Sequence, residues 1–282
     1  MSRRCSDLSR AAGVPLSASA TTAEKWLLLE VPGSWPRDVS AEGGQPEEAY
    51  EAVTAWLADT PRSRLQFIRR PGRSSSDRSL AFVVGAREYG GDVRRIELAD
   101  ETDLARVDLD TAGEPVDGSL VLVCGHGSRD ACCALRGTAV FGALADRLGE
   151  EELWISSHQG GHRFAANVLV LPAGLHFGRV EPGEAPLLVA RALARKIELD
   201  RYRGRTCFEP IVQAAEQAVR EATGLDGVSE LELAKVEGST VRFRSWEGAE
   251  HTAIVEEVAG PVAPASCGAD PETQSVLRAR VV

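Results

Sequence analysis

Residues 119–157 read SLVLVCGHGSRDACCALRGTAVFGALADRLGEEELWISS, and residues 158–180 continue HQGGHRFAANVLVLPAGLHFGRV. The apolar run 119–124 is short and bounded by polar residues, which reads as a buried strand. Residues 131–149 carry a helical pattern, with Asp130 as N-cap and Gly149 as the stop. ELWISS (152–157) is a second strand. Residues 167–180 form a hairpin around Ala173 and Gly174, and APLLVARALARKIELDRY (185–202) is a long closing helix. The order strand, helix, strand, strand, helix is the βαββα core of a thioredoxin-like fold. The right-handed crossover rule makes its first two strands parallel.

Working outward, residues 1–117 read as a separate α/β region. WLLLEV (26–31), RLQFIRR (64–70), SLAFVVG (79–85) and VRRIELA (93–99) are strands, and PEEAYEAVTAWLAD (47–60) is a helix. The core then occupies 118–205. Residues 206–282 form a small α+β extension: a helix at 208–224, then strands within 231–248 and 251–260. No internal repeat is visible, and P-loop, GxGxxG and GxSxG motifs are absent.

The 282 residues carry a net charge of −10, which argues against nucleic acid as the main partner. The compact basic stretch RRPGR (69–73) reads as a solvated loop. No apolar run is long enough to span a membrane and no secretory leader is recognisable, so a cytoplasmic protein is expected. The acidic balance points to a partner with a basic docking face.

Three of the six cysteines, Cys124, Cys132 and Cys133, fall within ten residues, and two of the five histidines, His158 and His162, flank Gly160 and Gly161. Loops that follow parallel strands leave the sheet at the same end. Cys124, the Cys132–Cys133 pair, His158 and His162 are therefore expected to converge. Two thiolates and two imidazoles suit an iron–sulfur cluster, and the glycines would let backbone approach it closely. Rieske spacing is absent: Cys124-Gly125-His126 matches one half of it, but no C-x-x-H follows. His126 and Cys132 remain further candidate ligands. Arg129 and Asp130 read as a loop-fixing ion pair or as residues bonded to the ligands. Arg163 and Asn167 would hold the turn. Cys5, Cys207 and Cys267 read as free thiols, and His176 and His251 as structural.

CGHGSRDACCALRG (124–137) and WISSHQGGHRFAANVLVLPAGLHFG (154–178) resemble the sucrase/ferredoxin-like family. The resemblance extends more loosely to CSDLSRAAGVPL and WLLLEVPGSW near the N-terminus and to SCG at 266–268. It implies a thioredoxin-like ferredoxin whose [2Fe–2S] cluster has two cysteine and two histidine ligands. The family pattern, a cysteine pair with eight residues between them and then H-x3-H, falls on Cys124, Cys133, His158 and His162. It implies a one-electron carrier with a redox partner protein, a reductase or an acceptor. Imidazole is neutral where thiolate is anionic, so the potential is expected to lie above that of all-cysteine clusters, with reduction coupled to proton uptake. A structural Cys2His2 zinc site is one alternative. A thiol–disulfide oxidoreductase is the other, although no Cys-x-x-Cys occurs.

Overall fold

The computed structural model describes residues 4–71 and 79–282. Residues 1–3, and Gly72 and Arg73 of the basic stretch, lie outside the described residues. The chain runs α1 (Cys5–Ala11), β1 (Lys25–Glu30), α2 (Glu47–Asp59), β2 (Ser63–Arg69), β3 (Ser79–Gly85), β4 (Asp92–Leu98) and β5 (Glu114–Pro115). It continues with β6 (Leu120–Cys124), α3 (Ala131–Leu144), β7 (Leu153–Ser156), β8 (Val168–Leu171), β9 (Leu175–Phe177), α4 (Ala185–Leu193) and β10 (Tyr202–Arg205). Last come α5 (Pro210–Thr223), β11 (Leu231–Glu237), β12 (Thr240–Ser245), β13 (Glu250–Pro264) and β14 (Pro271–Val281).

The βαββα segment forms as its pattern dictates. β6 is parallel to β7 and antiparallel to β8, which pairs antiparallel with β9. Val121 and Val123 of β6 face α3 and α4, burying Val140, Leu144, Leu188 and Val189. This is an α/β fold with a thioredoxin-like domain.

The structure adds a duplication that the sequence conceals. β1 is parallel to β2 and antiparallel to β3, which pairs with β4, so the first half repeats the strand plan of the second. The 3-10 turn Glu101–Arg106 packs on α2 as α4 packs on α3. The halves join through antiparallel β2 and β7, with Ile68 opposite Ser156, in one ten-stranded sheet ordered β10-β9-β8-β6-β7-β2-β1-β3-β4-β5. The face away from the helices is apolar in both halves (Trp26, Leu28, Phe82, Leu122, Trp154). The sheet curls to bury it: Phe82 and Trp154, on strands three places apart, touch edge to face with centroids 5.7 Å apart.

Other expectations change in detail. α3 ends at Leu144 rather than Gly149, whose N–H instead meets Glu152. α4 ends at Leu193, not Tyr202. Arg195 takes a left-handed φ of 58°, and Lys196 bridges to Gly227. Tertiary pairing wins over helical pattern there, and residues 202–205 become the edge strand β10. β14 lies beyond the strands read from the sequence. The basic stretch is no solvated loop where it is described. Arg69 lies over the Trp35 ring, and Arg70 pairs with buried Glu30 at 3.1 Å. Among the described residues, no helix is long and apolar enough to cross a membrane.

Candidate metal centre

β6 ends on Cys124, and the loop that leaves it returns as α3. Asp130 caps that helix, accepting from Cys132 N at 2.8 Å. The cap puts Cys132 and Cys133 on successive positions of the first turn, pointing to different neighbours. Gly137, one turn on, lets α3 sit against the end of β6, where a Cβ would stand 2.0 Å from the Cys124 carbonyl oxygen. Cys133 thereby reaches Cys124, and both are fully buried.

After β7 the chain enters the histidine turn. Cys124 Sγ, Cys133 Sγ and a His158 ring nitrogen lie within 4.8 Å of one another, with His158 Nδ1 4.0 Å from Cys133 Sγ. The His162 ring lies beside that of His158, centroids 5.0 Å apart, but its nitrogens fall outside that group of three. Among the described residues, His162 Nδ1 is buried with no hydrogen-bond partner. Such an orphaned acceptor is costly unless something occupies it.

The electrostatics suit metal ligation. The Cys133 thiol hydrogen-bonds Cys124 and holds it well below the usual thiol range, while Cys133 is pushed up by the same bond and by burial. The pair thus releases its first proton readily and its second reluctantly, as coupled sites do. Burial and the neighbouring His158 depress His162, keeping the imidazole neutral.

The glycine pair serves a different purpose from the one expected. Gly160 and Gly161 have φ of 88° and 69°, and Cβ atoms there would stand 2.5 Å from Thr21 Oγ1 and 2.6 Å from Arg203 Nη2. They permit the left-handed turn and its packing on protein. The clamp on that turn is Arg203, which sequence reading missed: it stands just past the helix read to Tyr202 and belongs to no motif. Its Nη1 donates to Gly160 O (3.0 Å), Asn167 Oδ1 (2.9 Å) and His176 Nε2 (2.9 Å), and Nη2 to Ser19 O. Asn167 Nδ2 donates to Gly161 O at 3.1 Å, as expected of a turn-holding residue. Arg163 instead lies over the Phe164 ring.

The other candidates resolve by position. His126 has both nitrogens engaged: Nδ1 accepts from His158 N (3.1 Å), and Nε2 donates to Pro36 O (2.8 Å). It positions the His158 backbone. Arg129 faces Asp38 at 3.7 Å rather than Asp130. Cys132 points away from Cys124, toward Cys5 and Cys267. His176 is fully buried, and burial and the Arg203 charge hold it well below the usual histidine range.

A profile of known proteins, described as sucrase/ferredoxin-like, matches residues 16–204. The chain belongs to the sucrase/ferredoxin-like family. This family member is 37% identical over 110 residues to altered inheritance of mitochondria protein 32 of Eremothecium gossypii, covering 34% of this chain and 35% of the relative. It is 31% identical over 101 residues to the protein of that name from Meyerozyma guilliermondii, covering 32% and 36%. With that of Saccharomyces cerevisiae (strain YJM789) it shares 36% over 96 residues, covering 29% and 31%. The matches thus span about a third of each relative's length. No solved structure matches. Family and cysteine–histidine groups together support a redox or metal-binding role.

Proposed function

We propose that this chain is a one-electron carrier whose [2Fe–2S] cluster is held by Cys124, Cys133, His158 and His162. The observation that carries this reading is the placement of His162. Its buried, partnerless Nδ1 stands beside His158 yet outside the 4.8 Å group formed by the other three donors. Ligands on one tetrahedral ion stand about 3.7 Å apart when bonds are about 2.3 Å long, as for zinc–thiolate. Four donors spread wider than that suit a group with two metal atoms.

When bound, the cluster would supply the one-electron redox couple. The two cysteines sit at the fully buried end, and the half-buried histidines lie toward the surface. Electrons would enter and leave by the imidazole edge, one from a donor protein and one to an acceptor. An imidazole that held the cluster through one ring nitrogen would keep the other for a proton taken up on reduction and released on reoxidation. Buried Arg203 and half-buried Arg64 feel the Cys124 charge, and such cations favour the more negative, reduced state. Arg64 also donates to His158 O at 2.9 Å, fixing the ligand's backbone.

The partner would be a redox protein. The net charge of −10 favours a basic docking face overall. The crevice of about 110 Å³ beside His158 is nevertheless rimmed by Arg37, Arg64 and Arg129, so an acidic group within the partner's face would meet that rim. A cytoplasmic setting belongs to the same reading.

A single ion on Cys124, Cys133 and His158 is a second reading, favoured by the 4.0 Å separation of Cys133 Sγ and His158 Nδ1. A visible absorption spectrum of anaerobically purified protein, with iron and sulfide counted, separates the two. A red-brown protein with two irons and two sulfides per chain is expected. A colourless protein holding one ion at these residues supports the second reading. A protein with no metal there, even after reconstitution with iron and sulfide, overturns both.

A further inference from the structure

The molecule carries a second sulfur cluster that the proposed carrier function does not use. Cys5 opens α1, Cys132 lies in the first turn of α3, and Cys267 sits in the turn between β13 and β14. These segments are 127 to 262 residues apart in the chain. Their sulfurs nonetheless form a nearly equilateral triangle: Cys5–Cys132 3.6 Å, Cys132–Cys267 3.4 Å and Cys5–Cys267 3.5 Å. All three are free thiols. Asp130 Oδ1 completes the group, 3.3 Å from Cys267 Sγ and 3.9 Å from Cys5 Sγ.

We propose that Cys5, Cys132, Cys267 and Asp130 bind one zinc ion. Four donors on a tetrahedral zinc with bonds of about 2.0–2.3 Å stand about 3.5–3.8 Å from one another, and the separations here run from 3.3 to 3.9 Å. Ligands on different irons of a cluster would stand further apart, so a mononuclear site fits. The donors are also held in advance. Asp130 is oriented by N–H groups of Cys132 (2.8 Å) and Cys267 (3.0 Å), and Ser6 Oγ donates to Cys132 Sγ at 3.3 Å. Arg136 donates to Ser6 Oγ at 3.0 Å and pairs with Asp7, tying α1 to α3. Cys132 also lies at the N-terminal end of a 14-residue helix, where its dipole favours thiolate. Binding would displace the thiol protons to solvent.

The ion would staple three remote segments around the histidine turn. α1 and β13 both pack beside this site, and α1 also lies against the 3-10 turn His162–Phe164. The two adjacent cysteines of α3 would thus serve two centres, Cys133 inward and Cys132 outward. No exchange of ligands between them is needed, because the side chains diverge.

Metal analysis of the full chain tests this, together with zinc-edge X-ray absorption. One zinc per chain is expected, with three sulfurs and one oxygen in its coordination shell. Cys267→Ser, an exposed position, and Cys5→Ser should each lower zinc occupancy at least tenfold. Cys207→Ser, a distant cysteine, should leave it at one. Cys124→Ser should leave this zinc in place while removing the metal of the first centre, so failure of one reading is distinguishable from failure of the other. Cobalt titration of the unaltered chain gives a second readout that needs no variant: thiolate-to-cobalt bands should saturate at one equivalent for this site and persist in Cys124→Ser. Zinc absent after reconstitution, zinc unaffected by both serine variants, or an intact mass showing a disulfide among the three cysteines would overturn the proposal.

Discussion

Replacing Arg203 with methionine isolates the clamp on the histidine turn. Arg203 is 1% exposed, and its guanidinium serves five acceptor atoms: Gly160 O, Asn167 Oδ1, His176 Nε2, Ser19 O and Ser19 Oγ. Ser19 and Gly160 are half-buried, so water can replace the lost donor there. Asn167 and His176 are fully buried and cannot be served that way. Two stranded acceptors cost about 1–3 kcal/mol each. Methionine recovers part of this, since it fills much of the volume and removes the burden of a buried cation. The net loss is about 3 kcal/mol. Arg203→Lys keeps the charge but not the fork, and about half that loss is expected. Urea unfolding followed by circular dichroism measures the change, and amide exchange at Gly161–Asn167 locates it. Faster loss of metal from the first centre should accompany both. A stability change under about 1 kcal/mol with unchanged amide exchange at those positions would refute the clamp.

Other expectations follow from the same geometry. Cys133→Ser should abolish metal binding at the first centre, whereas Cys132→Ser should retain it; metal counts and visible spectra of the two variants check this. If histidine nitrogens titrate with the redox state, the midpoint potential should fall by about 59 mV per pH unit through the alkaline range, and a flat profile in voltammetry from neutral to alkaline pH counts against imidazole ligation. Burial opposes the Glu184 charge, but its paired bonds from Arg201 (2.6 and 3.0 Å) and the Glu181 N–H outweigh that and hold it below the usual carboxylate range. Its contribution is therefore present above the unfolded pKa of about 4.3 and lost as pH falls through the lower folded value. Both side chains are about one-third exposed, so screening limits the effect to under about 1 kcal/mol. Unfolding of Glu184→Gln against the unaltered chain should show a difference at neutral pH that vanishes on acidification.

The strands were legible because fully buried central strands are almost wholly apolar, as LVLVC and SLAFVVG are. The helix N-terminus at Asp130 was legible because capping is local chemistry. What depends on distant partners was not. α4 stops where Arg195 turns left-handed and Lys196 meets Gly227, thirty-one positions on, a pairing no window around α4 contains. Arg203 lay hidden because it stands just past the helix read to Tyr202, and its acceptors Ser19, Gly160, Asn167 and His176 all lie far from it in sequence. Spacing placed Cys124 near the Cys132–Cys133 pair and the histidines after β7, but only the helical phase of α3 separates Cys133 from Cys132. The triangle of Cys5, Cys132 and Cys267 joins residues from both ends of the chain, and sequence distance gives no reason to connect them.

The duplication gives the candidate metal centre a counterpart in the first half. In the first half Glu30 pairs with Ile68, as Cys124 pairs with Ser156 in the second. Two residues further on stand Arg70 and His158, so Glu30 and Arg70 occupy the positions of Cys124 and His158. The first pair satisfies itself: carboxylate and guanidinium meet at 3.1 Å, with 5% and 12% side-chain exposure, and Arg70 lies over the Trp154 ring. Removing either partner would leave the other charge buried and uncompensated. In the second half Cys124 is bonded by the Cys133 thiol and by His158, and both bonds hold it below the usual thiol range. The buried Nδ1 of His162 is left without a hydrogen-bond partner among the described residues. The same scaffold position thus carries an ion pair in one half, and in the other the cysteine–histidine group that would hold the proposed metal.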